Sequence, residues 1–286
     1  MVLCAVVCFS IQATHIEGQS RTGAGAGSKS FDDVFSDMDK AFNSVDAEFT
    51  QEDAYYLGRA VAANILAAYK PYTQNPTLTQ YLNRICQTLV INAPQAVSFN
   101  GYHVMILDSL EFNAFATPGG HIFITKKLVE AATSEDMLAA IIAHELAHIL
   151  LKHGIAIIND MKFTDETTAA ANRAADFAGK NNAGAQRLAL FRNSVAKSMD
   201  TMLKNGYSQT QEFEADREAV ALLQKAGYDP AALMDMLKVL QQVQKSQQGG
   251  FNTTHPSPAA RISNVEGMRY RGQDTRKFRV PRFKNK

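Results

Sequence analysis

Three features of the sequence predict a mainly α-helical α+β fold. Long stretches repeat apolar residues at helical spacing, as at Leu78, Leu82, Ile85 and Leu89. Only two short stretches, 102–107 and 121–125, have the β-branched and aliphatic composition of strands. Both precede His144-Glu145-Leu146-Ala147-His148, the most informative segment, whose neighbours Leu138, Ile141, Ile142, Ile149 and Leu150 mark a buried helix. The expected architecture is therefore a helical domain with a small β-sheet beside this histidine-bearing helix.

Each element has a local reason. The apolar run from Met1 to Ala13 reads as a secretory signal over residues 1–17, too short to span a bilayer. No Lys or Arg precedes it, so the start lies upstream or the signal is weak. A Gly/Ala/Ser leader over 18–30 follows, and helical periodicity begins near Phe31. Thr50 with Asp53 resembles a capping box opening a helix that stops at Pro71, and a second helix spans about 77–92. After strand 102–107, the turn Pro118-Gly119-Gly120 leads into strand 121–125, and Ser134-Glu135 opens the histidine helix, expected to end at Gly154.

Residues 155–205 are rich in Ala, Asn and charge with helical periodicity broken at 179–184, and carry no apolar span. Helices are expected over 208–226 and from Pro230 to about Gln244, then a loop over 247–258 and a short helix. The domain is expected to occupy 31–268, with a basic tail at 269–286 that holds eight Lys or Arg and one Asp. That tail reads as solvated, with contact to an anionic surface as the alternative.

A net charge of +1 suggests no nucleic-acid binding. Three cysteines, two of them in the signal, make no disulfide framework. With no transmembrane span in the mature chain, the protein is expected to be soluble and exported, either periplasmic or secreted.

The chemistry lies in the paired histidines. On a helix, i and i+4 share one face, so His144 and His148 can grip one divalent metal while Glu145 stands beside it as general base. A catalytic zinc wants a third protein ligand and an open position. His153 is five residues past His148, which on a continuing helix turns it roughly 140° off the metal face. It is expected to be a helix C-terminal residue favoured by the dipole. Glu212 and Asp216 share a helix face, so Glu212 can ligate while Asp216 orients a histidine. On spacing alone, a solvated acidic face fits equally well. Glu214 is expected to project to the surface.

Four motifs in order then carry a resemblance: Asn113-Ala114-Phe115-Ala116-Thr117-Pro118-Gly119-Gly120, His144 to His148, Glu212-Phe213-Glu214-Ala215-Asp216, and Thr254-His255-Pro256-Ser257-Pro258-Ala259-Ala260-Arg261-Ile262. Over about residues 50–268 the chain resembles the zinc peptidase family containing HtpX, BepA and the CAAX prenyl protease. The resemblance implies a gluzincin fold, one Zn²⁺ per chain on His144, His148 and Glu212, and Asp216 as the orienting carboxylate. It also implies that 120–125 is the edge strand that pairs with an extended substrate, with Asn113, Ala114, Gly119, Gly120, His121 and Ile122 binding it. His255 is implied near the metal, as a catalytic donor or as a latch filling the open position. Unlike BepA-like relatives the chain has no repeats after 268, and unlike HtpX no membrane helices flank the site.

The expected function is a zinc metalloendopeptidase that cuts extended or misfolded polypeptides in protein quality control. The alternative is a latent peptide-binding or assembly protein kept inactive by His255. His103 is expected to be structural or a rim residue, and His15 to leave with the signal.

Overall fold

The computed structural model describes residues 50–93, 95–157, 206–246, 255, 257–268 and 276–284. The signal, the leader, the periodicity from Phe31, most of 155–205 and nearly all of the 247–258 loop lie outside the described residues.

Helix α1 (Gln51–Ala68) starts where the Thr50 hydroxyl accepts from Asp53 N–H at 3.1 Å and the Asp53 carboxylate accepts from Thr50 N–H at 2.9 Å. Helix α2 (Pro76–Ile91) starts at Asn75, with Pro76 at the first position, where its missing N–H costs nothing. Three strands follow, β1 (His103–Leu107), β2 (Ala114–Thr117) and β3 (His121–Thr125), in the order β1-β3-β2. β1 pairs with β3 in parallel and β2 pairs with β3 as an antiparallel hairpin.

This topology makes two corrections. The segment 114–117 is a strand, although it lacks the alternation that marks one, because all four of its residues are buried. β3 is the central strand, hydrogen-bonded on both sides, so 120–125 is not an edge. The edge next to the histidine helix is β2.

Alternation assigns the two sheet faces. Phe115, Phe123 and Leu107 pack under Leu57, Val61 and Ile65 of α1. Val104, Ile106, Ala114, Ile122 and Ile124 face the main core. α1 meets the hairpin turn backbone to backbone: a Cβ on Gly58 would lie 1.6 Å from the Pro118 carbonyl oxygen. One on Gly119, at φ +80°, would lie 2.3 Å from the Tyr55 Cα.

A short helix α3 (Lys126–Ala131) leads to α4 (Glu135–Leu150), capped by the Ser134 hydroxyl on Met137 N–H and buried from Glu135 to His148. Around it pack α2, the sheet, α5 (Gln209–Lys225), α6 (Ala231–Ser246) and α8 (Arg276–Lys284), while α7 (Pro258–Glu266) lies on α5 and α6. α4 ends at Leu150 rather than Gly154. Lys152 takes φ +56°, and a new helical turn begins at His153. No described helix is long and apolar enough to cross a membrane.

Among the described residues of the tail, Val280, Pro281, Arg282 and Lys284 are exposed, and Arg279 departs from a solvated place. Within α8, Arg279 is buried, with Nη2 2.7 Å from Asp136 Oδ1 and Nη1 donating to the Gly227 carbonyl at 2.8 Å. Arg282 Nε donates to Glu135 at 3.1 Å, and the Tyr81 and Tyr228 hydroxyls donate to the same carboxylate. Arg279 is thus committed to the first turn of α4, while Arg282, with 57% of its side chain exposed, pairs with Glu135 from the surface. Truncating one partner of a buried ion pair leaves the other charge uncompensated. Arg279→Met is therefore expected to cost on the order of 3 kcal/mol, at the low end for such pairs because Asp136 keeps the Asp229 N–H, and urea denaturation measures it.

Candidate metal centre

α4 sets His144 and His148 one turn apart, with ring centroids 4.7 Å apart and Nε2 atoms 3.1 Å apart. α5 starts at a second capping box, Ser208 with Gln211, and runs against α4. It carries Glu212 and Asp216, both 0% exposed, into the space beside the two rings. Glu212 Oε1 is 3.3 Å from His148 Nε2 and Oε2 is 3.5 Å from His144 Nε2. His255 joins them, with Nδ1 2.7 Å from Glu212 Oε1. Ligand atoms of His144, His148, Glu212 and His255 all lie within 4.8 Å of one another, a cluster that could hold a metal ion.

The donor set fits a metal. The imidazole nitrogens face one another and a fully buried carboxylate, an arrangement that desolvation penalises unless charge is shared through coordination or pairing. Glu212 Oε2 accepts no hydrogen bond, although Arg261 Nη1 is 3.1 Å away. Glu145 Oε2 is also buried without a hydrogen-bond partner. Glu145 is not among the cluster's ligands. Its other oxygen lies 3.6 Å from His255 Nε2.

Asp216 stands behind His144, with Oδ1 3.1 Å from Nδ1. Arg261 of α7, only 3% exposed, donates to both Asp216 oxygens, at 2.6 and 3.0 Å. Burial alone would raise Asp216, but the Arg261 charge and the bonds from His144 and Arg261 hold it at about 2. Burial works against Glu212 too, and His255, Arg261 and the two helix histidines keep it well below the usual carboxylate range. Burial pushes Glu145 up and His148 well down. Burial and Arg261 oppose a charge on His144, yet its bonds to Asp216 and Glu212 outweigh them and lift it to about 9.

The structure thus brings together His144, Glu145, His148, Glu212, Asp216 and His255. Two further residues at this site, Arg261 and Tyr207, were not singled out from the sequence, and His153, set aside as a ligand, is there as well. The Tyr207 ring stacks on His148 at 3.9 Å and 19°. His153 is buried with Nδ1 2.9 Å from His148 Nδ1, a correction to its expected place as a dipole-favoured residue away from the site. The 140° rotation presumed a continuing helix, and the turn at Lys152 reverses it. Glu214 keeps a half-exposed side chain, but its Oε2 reaches within 3.3 Å of His153 Nε2.

The expected substrate residues divide. Asn113 and Ala114 line a small apolar pocket of about 40 Å³ with His144, Glu145, Ile141, Leu233 and Leu237. Gly119 borders a larger hollow of about 180 Å³ with Tyr207, Lys152 and His148. Gly120, His121 and Ile122 lie elsewhere: they sit at the start of the central strand, Ile122 with no exposure, and His121 stacks on Tyr55 at 5.7 Å. None of the three lines either hollow.

The chain is similar in sequence to known proteins. The Escherichia coli K12 beta-barrel assembly-enhancing protease is 29% identical over 197 residues, 68% of this chain and 39% of its own length. The mitochondrial metalloendopeptidase OMA1 of Schizosaccharomyces pombe is 26% identical over 234 residues, 79% of this chain and 63% of its own. Metalloprotease LoiP of Escherichia coli K12 is 27% identical over 192 residues, 66% and 71% respectively. The chain thus spans about two fifths of the length of the assembly-enhancing protease. The model of peptidase family M48 matches residues 76–269, well over half the chain, and the protein belongs to that family.

Proposed function

We propose that the protein is a zinc-dependent metalloendopeptidase that hydrolyses peptide bonds in extended or misfolded polypeptides. One observation carries the reading: a buried cluster of two imidazoles and a carboxylate adjoins a separate carboxylate, Glu145, that has an unpartnered oxygen and sits beside a pocket. His144 Nε2, His148 Nε2 and Glu212 would hold one Zn²⁺, which supplies Lewis acidity toward a water molecule and the scissile carbonyl.

The protein's own residues do the rest. Glu145, made more basic by burial, takes a proton from the attacking water and passes it to the leaving amine. Asp216 accepts from His144 Nδ1–H and holds that ring with Nε2 forward, while Arg261 balances the carboxylates. β2 has no strand on its outer edge among the described residues, so an extended chain can add there with its backbone. Such a chain would pass Asn113 and Ala114 beside His144 and Glu145, and the apolar pocket would take an apolar side chain. Relatives named for assembly enhancement fit substrates that expose extended segments. Export rests on the apolar run at 1–13.

A second reading is favoured by His255. Its contact with Glu212 puts it inside the ligand cluster, where a fourth protein ligand would exclude water and hold the site latent.

Three outcomes test these assignments. Glu145→Gln is expected to bind zinc like the parent and lose cleavage of casein by at least about 100-fold, the scale of general-base loss, and retained cleavage would refute the base assignment. His255→Ala is expected to raise casein cleavage because a latch is removed, whereas a fall would make His255 a donor instead. Zinc binding takes a neutral His144, which is charged up to about 9 in the metal-free protein, whereas burial already keeps His148 neutral and its surroundings keep Glu212 ionised. One proton is therefore displaced, and zinc affinity should rise about tenfold per pH unit below pH 9 and level off above it, as chelator competition at several pH values would show.

A further inference from the structure

We infer that His153 is a positioning residue for His148, accepting a hydrogen bond from the back of that ring and passing the connection on to Glu214. The inference rests on the metallopeptidase reading and adds a support to its second histidine.

The geometry determines the direction of each bond. His148 Nε2 faces His144 Nε2 and Glu212, so it is the ligating nitrogen and Nδ1 carries the hydrogen. The acceptor facing that hydrogen is His153 Nδ1, at 2.9 Å. His153 must then carry its own hydrogen on Nε2, which lies 3.3 Å from Glu214 Oε2. Both metal-facing rings are thus backed by a carboxylate: His144 by Asp216 directly, at 3.1 Å, and His148 by Glu214 through a second imidazole.

Two details argue for a built arrangement. His153 is 4% exposed, so its ring nitrogens depend on protein partners, and each has one. The positive φ at Lys152 is a conformation that side chains seldom adopt, and it is what places the ring behind His148. Tyr207 stacked on the His148 ring blocks tilt, while His153 blocks rotation about the ring's own axis. Partners of this kind typically change metal affinity by 10- to 100-fold.

The test compares His153→Asn, His153→Leu and Glu214→Gln in the full chain. It reads the zinc dissociation constant by competition with a chromophoric chelator and the thermal midpoint of the metal-free protein. Asn and Leu have the same shape, but Asn sets an amide oxygen where Nδ1 stood. His153→Leu is expected to weaken zinc binding by roughly 10- to 100-fold, and His153→Asn by only a few-fold, at matching metal-free midpoints. Glu214→Gln, at a side chain 42% exposed, is expected to fold normally and weaken binding by about threefold to tenfold. Equal zinc affinity in the Asn and Leu variants overturns the inference, because the ring would then only fill space. If neither His153 variant folds, Glu214→Gln decides: parent affinity overturns the relay and weakened affinity supports it. A parent protein that takes up no zinc overturns the metallopeptidase reading and the relay with it. A parent whose zinc is lost in His144→Ala but kept unchanged in His153→Leu overturns the relay alone.

Discussion

Glu212 and Asp216 have no exposure to water, and they stay ionised only because a guanidinium and three imidazoles surround them. Neither the helix that bears them nor the one that bears the histidines could keep such groups alone. Arg261 is the common partner, bonded to both Asp216 oxygens and within 3.1 Å of Glu212. It arrives on α7, so the end of the chain that carries His255 is tied to the site by the same charge balance. A buried network of this sort is weak evidence for stability and good evidence for a defined geometry, since every partial arrangement leaves a charge stranded.

The same logic operates at the other end of α4. Its first turn holds two buried carboxylates, Glu135 and Asp136, against two tyrosine hydroxyls, the Asp229 N–H and the α8 arginines. With charge networks at both ends, the helix cannot slide along its axis without breaking one of them. A site that must hold ring nitrogens to a fraction of an ångström benefits from a scaffold element fixed in this way. The sheet adds the third constraint, because Ala114 packs into the core from β2 and brings that edge alongside His144 and Glu145.

Much of this was legible in the chain. The stripe Leu82, Ile85 and Leu89, the caps at Thr50 and Ser134 and the i, i+4 pairs on α4 and α5 are local patterns, and each formed where expected. What failed did so for tertiary reasons. β2 is four residues buried on both faces, so it shows neither alternation nor a long β-branched run. The edge assignment failed because strand order depends on which strand the hairpin folds onto. His153 was misplaced because one residue, Lys152, leaves the helix at positive φ, and Lys does not advertise such a turn.

Local spacing by itself determined the chemical vocabulary of this protein: two histidines and a glutamate on one helix, two acids on another, and a fold of helices with a small sheet. Such features depend on the 3.6-residue turn and need no knowledge of distant neighbours. Tertiary structure alone decided which groups complete one another. Arg261, Tyr207 and Glu214 have no local mark of function, and nothing in the run of cations on α8 marks Arg279 as the one that Asp136 draws out of solvent. A pairing between residues far apart in the sequence is set by how packed helices meet, and periodicity within a single helix has no information about that meeting.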